Sequence, residues 1–440
     1  MKRIILFSSV FLLSIMISSC DHQEVVALDV ELTQLIGNKD QYILPASNDF
    51  ASIPQSPVNP LTPEKIELGK MLFFEPKFAN EAMRGNHMFT FTCSSCHIVE
   101  SGFRPGRMQG IADGGFGMGE KGESRTKAPY YQDHEIDAQG ARPLATINVA
   151  FVENTMWNGS FGSDGHNVGT EDMWGVFDPG TARNHERLGA LEGQNIEGLI
   201  VHRMMYTKEI IEEAGYKEMF DKAFPDLGEA DKYSRKGASF AISAYLRALI
   251  TNEAPFQLWL RGQNNAMTEQ QKRGAIVFFG KAACNTCHFE KNLGSMRFEA
   301  LGVRDLYERG GLKTDENDLR NFGRGGFTGR AQDMFKFRTP QLYNMGDSGP
   351  YFHGGSKETL EDVVEYFNQG IPENSRVPRH QLTTYLRPLG LSDQEKSDLV
   401  EFLRNGLRDP NLERYAPKEV ISGMCFPNND VLSRNDMGCR

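Results

Sequence analysis

The stretch "FTCSSCH" (residues 91–97) and its later counterpart "AACNTCH" (residues 282–288) decide how this chain is read. Each puts two cysteines and a histidine at CxxCH spacing, which fits a redox disulfide, half of a zinc site or the tether of a haem. A thioredoxin-like motif needs its cysteines at a helix start within an α/β unit, and no such unit is legible around either copy. A zinc site needs four ligands, and each cluster offers three, with no fourth at typical spacing. Covalent haem attachment uses all three residues, two thiols for the vinyl groups and a histidine for the iron. Two complete copies therefore point to two haem c groups, with Cys93, Cys96, Cys284 and Cys287 as anchors and His97 and His288 as proximal ligands.

The haem reading suits a protein carried out of the cytosol, and the first residues support export. "MKRIILFSSVFLLSIMISSC" has a basic start, an apolar run too short to span a membrane stably, and small residues ending at Cys20. The last four residues resemble a bacterial lipobox, so cleavage would leave an acylated Cys20 anchoring the body on the periplasmic or cell-envelope side. Oxidising surroundings permit disulfides, and the two cysteines left over, Cys425 and Cys439, are expected to pair.

The motifs are embedded in a duplication. "PEKIELGKMLFF" (63–74) aligns without gaps on "TEQQKRGAIVFF" (268–279), matching Glu64 with Glu269, Gly69 with Gly274, Phe73 with Phe278 and Phe74 with Phe279. The repeated unit is one helix followed by one CxxCH. Thr268 with Gln271, Thr359 with Asp362 and Ser392 with Glu395 mark further helix starts, the last two of these helices ending at Gly370 and Gly406. "SFAISAYLRALI" reads as a buried helix, and no long alternating run predicts much sheet. At 440 residues the chain exceeds the reach of a single core. The expected division is a signal peptide (1–20), a proline-bearing tether (21–60), a first haem domain (61–255), a second (256–406) and a disulfide-bonded tail (407–440). A net charge of -10 argues against nucleic acid and permits a basic protein partner.

From about residue 60 to 405 the chain resembles the bacterial dihaem cytochrome c peroxidases, including the relative that matures methylamine dehydrogenase. The resemblance rests on the two CxxCH motifs, "INVAFVENTMWNG" (147–159), "LEGQ" (191–194) and "FRTPQLYNMGDSGPYFHGGSKETLEDVVEYF" (337–367). It implies a mostly α fold of two cytochrome c-like domains. Hydrogen peroxide would be reduced at the first haem, with electrons entering through the second from a small carrier, a cytochrome c or a cupredoxin. Trp157 matches the tryptophan between the haems and Gln194 the glutamine of the peroxide pocket. The family's catalytic glutamate is missing, and His202 with Arg203, or Glu192 or Glu197, are the candidates to replace it.

Other positions depart from the family. The histidine that caps the first iron in resting peroxidases is replaced by Asp113. The methionine ligand of the second iron falls on Phe367, which leaves Tyr366, Met334 or Met345 to ligate. A calcium ion between the domains is also implied. Carbonyls near Ser348 and Pro350 match its positions, but the expected asparagine falls near Arg142, which does not suit a cation site. Relatives are often homodimers. The alternatives to a peroxidase are a dihaem oxidase of a protein or organic substrate, and a plain electron carrier.

Overall fold

The computed structural model describes residues 27–439, so the export segment and Cys20 lie outside the described residues. Helices carry the fold: α1 (27–36), α2 (Pro63–Phe74), α3 (Ala190–Val201), α4 (Arg235–Ala248), α5 (Glu269–Phe279), α6 (Leu360–Gln369) and α7 (Asp393–Glu401), with short helical turns between. Strand structure among the described residues is confined to two antiparallel ribbons two residues long, Gly115–Phe116 with Thr126–Lys127 and Phe298–Glu299 with Phe337–Arg338. No helix in these residues is long and apolar enough to cross a membrane.

Local chemistry sets the helix ends. The Thr62 side chain accepts from the Lys65 amide and Pro63 opens α2 without needing a donor. The three capping boxes read from the sequence are all formed, at Thr268, Thr359 and Ser392. α6 stops at Gly370 in a left-handed conformation. α7 reaches Gly406 through a wider, π-helical turn from Phe402.

The duplicated helices are each crossed by a second helix at the glycine they share. α2 packs on α4, and a Cβ at Gly69 would collide with the Ala241 carbonyl. α5 packs on α7, and a Cβ at Gly274 would collide with the Asp398 carbonyl. Close backbone approach explains both glycines. Phe73 and Phe278 then occupy matching places, each with its ring 6.4 Å from the histidine of its own motif. α4 is buried on every side from Gly237 to Ala248, more completely than a one-faced pattern implies. The main hydrophobic core runs from Leu32 to Val420, with a small second cluster of Ile111, Ile136 and Ala138.

One expectation about the ends needs correction. Residues 27–60 are not a free tether: Leu32, Ile36, Tyr42, Leu44 and Ile53 are buried. Tyr42 packs edge-on against Phe279, and Leu44 N donates to Gln257 Oε1 at 2.9 Å. Pro45, Pro54, Pro57 and Pro60 keep the stretch after α1 out of helix but do not prevent packing, and the spaced apolar side chains gain by leaving water. The tail is likewise built in. Cys425 and Cys439 are disulfide-bonded as expected, Asp430 pairs with buried Arg125 at 3.1 Å, and the Pro427 carbonyl accepts from Thr92 Oγ1 and Ser95 Oγ, both at 3.0 Å. The tail thus straps the loop of the first CxxCH.

Candidate active site

The two CxxCH motifs fold alike. A short turn over Cys93–Ser95, or Cys284–Thr286, bonds the histidine amide back to the first cysteine carbonyl, at 3.2 Å for His97 and 3.0 Å for His288. Each imidazole donates Nδ1–H to a backbone carbonyl, His97 to Phe103 at 3.1 Å and His288 to Leu293 at 2.7 Å. That bond sets the tautomer and leaves the Nε2 lone pair for a metal. Burial holds both imidazoles down to about 4, so both are neutral at physiological pH. Burial also pushes the Cys93, Cys96 and Cys284 thiols up to about 12, and all four motif cysteines are unpaired.

These surroundings fit haem. Among the described residues no three His, Cys, Asp or Glu side chains converge on one point, so neither motif is gathered as a zinc ligand set. Buried guanidinium groups stand near the motifs with no carboxylate to pair with. Arg104 bonds only to Met345 Sδ, at 3.0 Å, and its charge is felt at His97; Arg338 bonds only to carbonyls, and burial holds each of the two down to about 10. The Nη1 of Arg107, beside Cys96, is buried without a partner. Uncompensated buried cations call for anions, and porphyrin carries two carboxylates.

The C-terminal end of α3 reaches the His97 side. His202 follows α3 and lies close enough for its charge to depress His97. Its Nδ1 is 2.8 Å from Asp137 Oδ2. Burial alone would lower the His202 pKa, but the charge and hydrogen bond of Asp137 outweigh it and leave the group raised. Asp137 is held in turn by backbone pairing, Asp137 N to Asp113 O at 2.9 Å and Ala112 N to Asp137 O at 3.0 Å. Nothing in the sequence singles out Asp137, which sits 65 residues from its partner in an ordinary loop.

The remaining candidates separate. Gln194 lies on the same helix, half-buried, and one turn on a Cβ at Gly198 would meet the His202 ring at 3.8 Å. Glu192 is not free for acid–base work: both its oxygens are taken by Arg247, at 2.5 and 2.8 Å, and Asn59 adds a bond at 2.9 Å. Glu197 is paired with Arg183 at 2.5 Å. Arg203 is bound to Asp113, whose other oxygen accepts from Tyr131 at 2.7 Å. Trp157 is half-buried, donates Nε1–H to the Arg142 carbonyl at 2.7 Å, and meets the His353 ring edge-on at 6.3 Å. Tyr366 is buried and donates its hydroxyl to the Leu301 carbonyl at 2.6 Å; burial raises its pKa, so it stands as a neutral phenol rather than a metal-ready phenolate. Met345 is taken by Arg104.

Comparison with known proteins agrees with this geometry. The family profile of di-haem cytochrome c peroxidase matches residues 63–265. The methylamine utilization protein MauG of Methylorubrum extorquens is 27% identical over 90% of this chain and 91% of its own. The cytochrome-c peroxidase IdrP1 of Denitromonas iodatirespirans is 28% identical over 82% of this chain and 85% of its own. Both alignments are long enough to span more than the first motif. A crystal structure of a MauG-like protein associated with microbial copper homeostasis shares the fold, with a TM-score of 0.57 at 24% identity over 85% of this chain and 97% of that one. The matched profile, the relatives aligned over most of their length and the twice-built motif make this chain similar to the di-haem cytochrome c peroxidases.

Proposed function

We propose that this protein reduces hydrogen peroxide to water with electrons from a small redox carrier, a cytochrome c or a cupredoxin. The observation that carries the reading is the His202–Asp137 pair beside His97. Cys93 and Cys96 would tether one haem with His97 as its ligand, and Cys284 and Cys287 a second with His288. The first haem supplies an iron at which peroxide takes up two electrons, and the second a store for electrons from the carrier.

The chain's own groups handle the protons. With Nδ1–H donated to Asp137, His202 presents a basic Nε2, which takes the proton of the near peroxide oxygen and returns it to the far one as water leaves. One peroxide, two electrons and two protons give two waters. Asp137 keeps His202 in the correct tautomer and offsets the charge it gains. Gln194 lines the same side as a polar, uncharged group. Trp157 is offered as the stepping stone between the two halves, since it joins the Arg142 segment to His353 and its carbonyl accepts from Arg338 at 2.7 Å. Domain boundaries near residue 255, export with lipidation at Cys20, and homodimerisation belong to the same proposal.

A second reading, oxidation of a protein or organic substrate, is favoured by Asp113. At the position of the capping histidine it is buried and fully bonded, so it cannot move onto an iron as a regulatory cap. Steady-state kinetics of the holoprotein separate the readings. Fast peroxide consumption with two electrons drawn from reduced cytochrome c per peroxide supports the peroxidase. Slow turnover with oxidation of an added protein or organic substrate supports the second reading. A holoprotein inert to peroxide, with both ferric irons low-spin, would leave a plain electron carrier.

A further inference from the structure

The cation expected between the two halves meets a different occupant. Arg142 is buried, and one of its nitrogens, Nη2, is surrounded by four oxygens: Ser348 Oγ at 2.8 Å, Gly349 O at 3.0 Å, Ser348 O at 3.2 Å and Pro105 O at 3.3 Å. A nitrogen with two hydrogens makes two linear bonds. Four oxygens converging on it from two distant segments are arranged as a coordination shell around a hard cation, and a positive charge is what satisfies them together. Three of the four are backbone carbonyls, and Ser348 Oγ itself donates to Pro105 O at 3.1 Å, closing the cage.

No carboxylate bonds to Arg142, and the nearby buried Arg104 adds to the positive field there. A divalent ion entering this cage would have to displace a guanidinium and face a second one, with only neutral donors to receive it. The residue is also a structural junction. Its amide donates to the His353 carbonyl at 2.7 Å, while its carbonyl accepts the Trp157 indole at 2.7 Å.

We propose that Arg142 is a tethered cation that replaces an inter-domain calcium ion, locking residue 105 to residues 348–349 and fixing Trp157 against His353 without any metal. It acts as a positioning residue. The consequence is a protein whose stability ignores chelators and whose calcium response can be created by removing one side chain.

The test uses the holoprotein and two variants, with calorimetric titration of calcium chloride and thermal melts in EDTA or in calcium. The expected result is that the natural protein takes up no calcium and melts at one temperature in both conditions. Arg142→Asn, which opens the cage and adds an oxygen donor, melts lower in EDTA, binds calcium and recovers on its addition. Arg142→Lys keeps a cation in place and stays insensitive to calcium. Recovery by calcium is a readout that loss of packing alone would not give. Stoichiometric calcium uptake by the natural protein, or an Arg142→Asn protein that equals it in EDTA or fails to recover in calcium, overturns the proposal. Should Arg142→Asn fail to fold, calcium uptake by the natural protein or a calcium-dependent melt of Arg142→Lys overturns it equally.

Discussion

Replacing Asp137 probes the proposed proton chemistry most directly, because two substitutions there act differently. Asp137→Ala removes the carboxylate that raises His202. A hydrogen bond to a charged group contributes about 1.5–3 kcal/mol, equivalent to roughly one to two pH units at about 1.4 kcal/mol per unit. The His202 side chain is 37% exposed, so solvent screening favours the lower end, about one unit. The acid limb of kcat/KM for peroxide, which rises as His202 loses its proton, should move down by that amount. Asp137→Asn should be worse, since its amide can donate to Nδ1, stabilise the opposite tautomer and leave a proton on Nε2. The base is then absent, and the loss approaches the roughly 10²–10⁴-fold of general acid–base catalysis. His202→Ala sets the limit. Stopped-flow and steady-state rates across the neutral pH range, with haem content checked for each variant, give the numbers. An unmoved acid limb in Asp137→Ala, or an Asp137→Asn protein as active as Asp137→Ala, would refute the reasoning.

Further outcomes follow from other contacts. Glu192→Ala strands the buried Arg247 charge and should cost about 3–5 kcal/mol of stability in denaturant unfolding, while the acid limb of the pH profile stays where it was. Gly69→Ala and Gly274→Ala each force a methyl into the facing helix backbone; each should cost about 1–3 kcal/mol or more and lower the melting temperature. Tyr366→Phe should leave the electron paramagnetic resonance signal of the second haem unchanged, because the hydroxyl is spent on Leu301 O; a changed spin state would show Tyr366 to be a ligand. The His202–Asp137 bond should stabilise the fold below about pH 6.5, the ordinary histidine value, and lose its effect as pH rises through the raised folded value. Melts of the natural protein and Asp137→Ala should therefore converge toward alkaline pH.

The sequence alone determined whatever depends on neighbours along the chain. CxxCH spacing, capping boxes, the repeated Gly and Phe-Phe of the duplicated helices and the disulfide pair are all local or duplicated signals, and the structure builds the caps, the close-packed glycines and the disulfide with the expected partners. Folding decided what depends on charges meeting across long loops. Glu192 and His202 both stood as acid–base candidates, and Arg247 closes around one while Asp137 orients the other. The proline-bearing segment before residue 60 looked unattached until Tyr42 met Phe279. Arg142 looked like a mismatch for a cation site and is found with four oxygens around one of its nitrogens. A buried charge is tolerated only where the fold brings it a partner, and that partner can come from any point along the chain.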